Sequence, residues 1–190
     1  MAATINNTLV KIQTVTVGSG GASSIDFTSI PQTYTDLKLL LSLRGTASGG
    51  AYAHYAVVSF NGNTSSRSWR RLAGYSSSTY SDNSSSLITM GSVPSSGVTA
   101  NTFCNAEWYI PNYTSSNYKS WSIDGVAENN SSTDWENYLM AQLWSNTSAI
   151  SSLSITLDSG NFAQFSTATL YGITATPNTT KASGGIIYQD

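Results

Sequence analysis

Few residues in this chain are able to do chemistry. One histidine, His54, and one cysteine, Cys104, occur in 190 residues. Nucleophilic catalysis by serine needs an adjacent base and a strained turn that presents the hydroxyl. His54 lies in Ala53-His54-Tyr55-Ala56, and no Gly-x-Ser-x-Gly elbow accompanies the 34 serines. It reads as a strand histidine at a sheet surface or a contact. Glycoside cleavage needs two carboxyls facing each other across a cleft. Glu107 in a strand, with Glu128, Asp134 and Glu136 in a loop, shows no such pairing. Asp124-Gly125, Asp134 and Glu136 offer oxygen ligands for calcium, but without the spaced acidic loop of a calcium motif. One Cys with one His excludes a disulfide framework and the common zinc sites. The expectation is a non-enzyme with no catalytic residue, cofactor or metal ion.

Two groups of side chains suit binding instead. Arg67, Arg70 and Arg71 flank Trp69 in Arg67-Ser68-Trp69-Arg70-Arg71 and are three of only eight Lys and Arg residues. Guanidinium groups bind carboxylates bidentately and stack on aromatic rings, so this cluster suits a subunit or shell contact with an acidic partner. The competing reading is a solvated strand edge that arginines protect from unwanted pairing. Trp108, Trp121, Trp135 and Trp144, with Tyr113, Tyr118 and Tyr138, offer material for a sugar-binding platform, although core packing accounts for most such rings. Tyr113, Tyr118 and Trp135 are the candidate glycan contacts. Trp135 sits in polar Ser131–Glu136 and is expected to be exposed, whereas Cys104 alternates onto an apolar face as a buried, inert thiol.

The elements that position these residues are strands. Leu37, Leu39, Leu41 and Leu43 alternate with Lys38, Ser42 and Arg44, giving a core-facing row with period two. Asn101–Ile110, Ser152–Asp158 and Thr167–Thr174 alternate likewise. Further strands are predicted at Val10–Val17, Ile25–Phe27, His54–Phe60, Ser68–Tyr75, Ser86–Gly91, Lys119–Val126 and Tyr138–Ser145. Asn61-Gly62 and Ser159-Gly160-Asn161 mark hairpin-type turns, because Gly and Asn tolerate positive φ. Ser76–Ser85 reads as a long exposed loop. Thr133–Gln142 is the one helix candidate, in competition with a strand. These patterns predict an all-β chain with one antiparallel β-sandwich domain, of jelly-roll type.

Composition narrows the function classes. Only 9 % of residues are charged and the net charge is −2. The sequence pI is about 5.2. Such a chain offers no basic field for phosphates, so nucleic acid is not an expected partner. Residues 1–7 lack the charged and apolar regions of a signal peptide, and Leu37–Leu43 is too short to span a bilayer, so no membrane partner is expected either. The eight Asn-x-Ser/Thr triplets are read as unglycosylated loops. The domain is placed at 8–176, with an arm over 1–7 and a tail over 177–190. Pro177–Gly185 has linker composition and leads to Ile186-Ile187-Tyr188, an apolar triplet. That triplet fits either a last strand pairing back on the domain or a tether docking on a neighbouring subunit.

Two blocks carry a resemblance to a known class. Ser24-Ile25-Asp26-Phe27-Thr28-Ser29-Ile30-Pro31-Gln32-Thr33-Tyr34-Thr35-Asp36-Leu37-Lys38-Leu39 resembles a segment of accessory structural proteins of tailed bacteriophages, where it leads into a long inner strand. Ala168-Thr169-Leu170-Tyr171-Gly172-Ile173 resembles the strand that closes such domains. The resemblance implies a β-sandwich on the virion, assembled in the host cytoplasm, as a capsid decoration (cement) protein or a tail or fibre component. It implies the major capsid protein or other virion proteins as partners, and a homo-oligomer, a trimer. A receptor-binding, carbohydrate-binding domain of a tail or head fibre is the alternative. It carries over no catalytic residue.

Overall fold

The computed structural model describes residues 8–48, 54–85, 91–130 and 135–174. Twelve strands follow in chain order: β1 Leu9–Thr16, β2 Ser24–Phe27, β3 Asp36–Leu43, β4 His54–Phe60, β5 Arg67–Tyr75 and β6 Ser78–Ser84, then β7 Ser92–Val93, β8 Cys104–Ile110, β9 Lys119–Ala127, β10 Glu136–Trp144, β11 Leu153–Leu157 and β12 Thr167–Ile173. All pairings are antiparallel, in an eight-stranded sheet of order β1-β12-β3-β8-β9-β10-β5-β6 and a four-stranded sheet of order β2-β11-β4-β7. The two sheets pack as a sandwich. No helix occurs among the described residues.

Alternation builds the core as the sequence predicts. Leu37, Leu39, Leu41 and Leu43 are all buried, and β4, β8, β9 and β10 show the same inward row. Phe60 sits between Trp121 and Trp144, with ring centroids 5.1 and 5.4 Å away, in tilted and edge-on contacts of the kind aromatic pairs prefer. Asn61 and Gly62 have φ of 53° and 73°, the pair of left-handed residues that a two-residue type I′ turn requires. The Asn61 side chain adds a clamp. Its Oδ1 accepts the Ser151 and Ser152 N–H groups, and its Nδ2 donates to Ala149 O.

One expectation changes, and one open alternative resolves to the strand predicted at Tyr138–Ser145. Ser76–Ser85 is largely strand: β6 pairs along its length with β5, joined by a two-residue turn at Ser76-Ser77. Its serines obscure a row in which Tyr80 and Asp82 face inward, and main-chain pairing rather than apolar burial holds it as an edge. The helix candidate is a strand over Glu136–Trp144, because Glu136, Tyr138, Met140, Gln142 and Trp144 bury one face between β9 and β5. Residues 133–134 of that candidate, residues 86–90 of another predicted strand, the 1–7 arm and the 177–190 tail lie outside the described residues.

Three cations are used inside the domain as clamps on backbone carbonyls. Lys119, 1 % exposed, donates from Nζ to Ser115 O at 2.8 Å and Asn117 O at 2.6 Å, with Asn146 O at 3.5 Å. Arg44 donates to the carbonyls of Val98, Thr99 and Thr102. Arg67 donates to Val58 O and Asn63 O and lies 4.8 Å above the Phe60 ring. Burial lowers the pKa of each. A buried charge persists only when most of its hydrogen-bonding capacity is met. Carbonyls take the Lys119 ammonium and the Arg44 and Arg67 terminal nitrogens, while Arg67 Nε is left without a partner.

Candidate contact surface

Strand parity divides the Arg67–Arg71 segment. Arg67, Trp69 and Arg71 point into the sandwich, while Ser68, Arg70 and Leu72 point out from the eight-stranded sheet. Arg67 and Trp69 are buried, which removes them from any surface. Of the predicted contact cluster, Arg70 alone is exposed.

Arg71 is the centre of an internal ionic network. Its Nε and Nη2 grip both oxygens of Asp82, directly opposite on β6, at 2.9 and 2.7 Å. Its Nη1 reaches Glu136 Oε1 at 2.9 Å. Tyr80 donates to the same oxygen at 2.6 Å, and the Ser92 hydroxyl donates to Oε2. Burial opposes the Arg71 charge, yet the Asp82 hydrogen bond and the Glu136 field hold it above its ordinary pKa. Burial, then the bond to Glu136, raises Tyr80. Every strong acceptor in the network therefore has a donor, as a buried polar cluster demands. A small hollow of about 240 Å³ beside it is lined by Tyr55, Tyr75, Tyr80 and Glu136. This network is what the arginine-rich segment builds, and Glu136, in β10, was legible in sequence only as a solvated acid.

Among the described residues, the other reactive groups do not assemble a known catalytic arrangement. His54 is buried rather than at a sheet surface. Its Nε2 faces Ala47 O at 3.2 Å, and its Nδ1 lies 3.1 Å from Ser159 Oγ. Asp158 Oδ1 lies 3.5 Å from that same Nδ1 and is held by the Tyr55 N–H. In a triad, hydroxyl and carboxylate occupy opposite ring nitrogens. Asp124 faces outward and Glu136 inward, so the two do not share an ion. Glu107 pairs with Lys38 at 2.7 Å on the outer face. Cys104 is buried, and burial pushes its thiol up to about 12.

The three candidate glycan contacts are scattered. Tyr113 is fully buried, its hydroxyl donating to Pro31 O, and is corrected to a core residue. Tyr118 is exposed beside Lys119 at the start of β9, whereas Trp135 precedes Glu136, which pairs with Ala127 at the other end of that strand. Nine residues at ~3.3 Å rise separate them by roughly 26 Å. Trp135 does line a hollow of about 690 Å³ with Ser76, Ser78, Thr79, Asn137 and Leu139.

The largest unassigned feature is the outer face of β8, β9, β10 and β5. Leu72 and Leu139 pair there in register and are 59 % and 56 % exposed. Tyr109, Val126 and, on β3, Leu40 stand on the same side. Arg70, Glu107, Tyr109, Ser122 and Asp124 line a second hollow of about 500 Å³ on this face. Strand alternation was the signal that could have found this patch: Leu139, Ala141 and Leu143 share the parity opposite to Tyr138 and Met140.

Comparison with known proteins finds no matching family model, no matching curated protein and no matching solved structure.

Proposed function

We propose that this chain is a non-enzymatic structural component of a tailed-phage virion, a capsid decoration protein that binds the outer shell and neighbouring copies of itself. The observation that carries the reading is the outer face just described, a broad open sheet with large exposed apolar side chains. A patch of that kind marks a surface made to be covered. The resemblance supplies the class of partner. Its two blocks meet in space: β3 pairs with β12, and the Tyr34 ring covers Gly172. The strand order supports a jelly-roll reading as well. The chain passes β1, β2, β3, β4 alternately between sheets, and β7, β8, β11, β12 do the same, giving β1-β12-β3-β8 in one sheet and β2-β11-β4-β7 in the other. The hairpin pairs β5–β6 and β9–β10 then extend one sheet. In this reading the tail at Ile186, Ile187 and Tyr188 is the second attachment element, and trimers on the shell follow the resemblance.

The test is mass spectrometry and density mapping of purified virions that encode the chain. Stoichiometric presence on the shell is expected, and absence from the particle refutes the assignment. The Trp135 hollow, with its hydroxyl and amide lining, favours a second reading as a glycan-binding fibre domain. Glycan-array binding that is lost in Trp135→Ala would select it.

A further inference from the structure

Five of the eight large apolar side chains exposed among the described residues lie on the outer face: Leu40, Leu72, Tyr109, Val126 and Leu139. The strand at its centre is apolar on both sides, since β10 sends Tyr138, Met140 and Trp144 inward and Leu139, Ala141 and Leu143 outward. Such double-faced strands belong where both faces of a sheet are covered. The hollows of about 500 and 690 Å³ share Leu72, Asp124 and Leu139, so they adjoin on this face.

The charges on this face decide what covers it. Lys38 and Glu107 neutralise each other at 2.7 Å. Arg70 on β5 and Asp124 on β9 are exposed and stand on opposite sides of β10, diagonally across Leu139 and Ala141. Two strand spacings of ~4.8 Å and two residues of ~3.3 Å put them roughly 12 Å apart. Asp36 on β3 is held by the Tyr109 hydroxyl and the Asn112 N–H, so the face carries both signs with a small negative balance. Arg70 and Asp124 are its charges without an ion pair among the described residues, with apolar surface between them. A nucleic acid or a strongly charged protein would meet a like charge on this face.

We propose that a second copy of this chain covers the outer face, with Arg70 of each copy against Asp124 of the other. A two-fold contact brings identical patches together and so requires a self-complementary surface, which this pair supplies. Four strands by nine residues give a flat area of about 19 by 30 Å, on the order of 600 Å² before side-chain relief, close to the ~800 Å² per partner of a specific interface. The contact joins copies in pairs and leaves other surfaces for any three-fold assembly. The proposal rests on reading this face as a contact surface and names its occupant.

The test is the solution mass of the full chain by light scattering, up to about 100 μM, well above the dissociation constant of an ordinary specific contact. A dimer or an even multiple is expected. Leu139→Arg should reduce it to monomer, and Arg70→Asp should raise the dissociation constant at least about tenfold by opposing like charges. Arg70→Asp combined with Asp124→Arg should restore association. Phe165→Arg, at a 66 % exposed position in the loop before β12, should change nothing. Circular dichroism checks that each variant is folded, and a misfolded Leu139→Arg leaves the charge swap to decide. A monomeric wild type, unaltered association in Leu139→Arg or Arg70→Asp, or a swap that restores nothing overturns the proposal. A wild-type monomer that dimerises on removal of residues 175–190 would assign the face to the chain's own tail instead. Virion attachment is scored separately by co-sedimentation, so failure of the pairing and failure of the virion reading give different results.

Discussion

Replacing Lys119 by methionine isolates the use of a cation as an internal clamp. The side chain is 1 % exposed, and its ammonium holds the 115–117 loop through two short bonds, 2.8 and 2.6 Å long. The third carbonyl, Asn146 O at 3.5 Å, adds little. Hydrogen bonds to a charged group contribute roughly 1.5–3 kcal/mol each, so the gross loss is about 3–6 kcal/mol. Methionine keeps the stem packed and removes an ammonium whose burial itself costs several kcal/mol. Against this, two carbonyls lose their donor. The net expectation is a destabilisation of about 2–4 kcal/mol, or roughly 4–15 °C in Tm at this chain length. Thermal unfolding followed by circular dichroism reads it directly, with exposed Lys11→Met as the control. A shift under about 2 °C, the size of an ordinary surface change, would refute the clamp and show that desolvation cancels the bonds.

Gly125→Ala would drive a Cβ into the Tyr138 ring, which is also pressed on its other contact by Gly91. It should cost about 1–3 kcal/mol, and Tyr138→Ala, harmful alone, should make the two changes less than additive in a double-mutant cycle. Glu136→Gln leaves Arg71 with Asp82 alone in a mostly buried site, and should lower stability by at least about 2 kcal/mol in urea unfolding without changing the m-value. Alkali should destabilise the domain from about pH 9. The Cys104 thiol, pushed from 9.0 to about 12, stays protonated in the fold while the unfolded thiol ionises, so the folded state binds more protons across that window and stability falls as pH rises. Burial raises Tyr80 and Tyr138 as well and extends the loss, whereas lowered Lys119 and Arg67, the latter down to about 10, oppose it. A Tm that is flat or rising between pH 8 and 11 would contradict this.

Strand positions were legible because alternation is local. The row Leu37–Leu43 needs only neighbours in sequence, and β3 begins and ends within a residue of its prediction. β6 was hidden because its stabilising partners, Arg71 and the main chain of β5, are supplied by pairing and not by its own apolar content. The same limit governed the site. Arg67, Trp69 and Arg71 share a parity, as do Lys119, Trp121 and Ile123, and those facts alone turn two arginines and a lysine inward. What alternation could not supply was the neighbour across the sheet. Asp82, Glu136 and Tyr80 meet Arg71 through the order in which β6, β5 and β10 are laid down, which no local pattern encodes.

The pairing of β1 with β12 sets how the domain bears load. Leu9 lies opposite Ile173 and Thr16 opposite Thr167, so the first residue of β1 and the last of β12 lie at the same end of one ladder. A force drawn between residues 8 and 174 would open that ladder one rung at a time, like a zipper, instead of shearing all rungs together. A force applied through only one of the two ends, against resistance spread over the sheet, loads many rungs in parallel. Anchoring through one end of this ladder and a broad face therefore suits this topology mechanically better than suspension between residues 8 and 174.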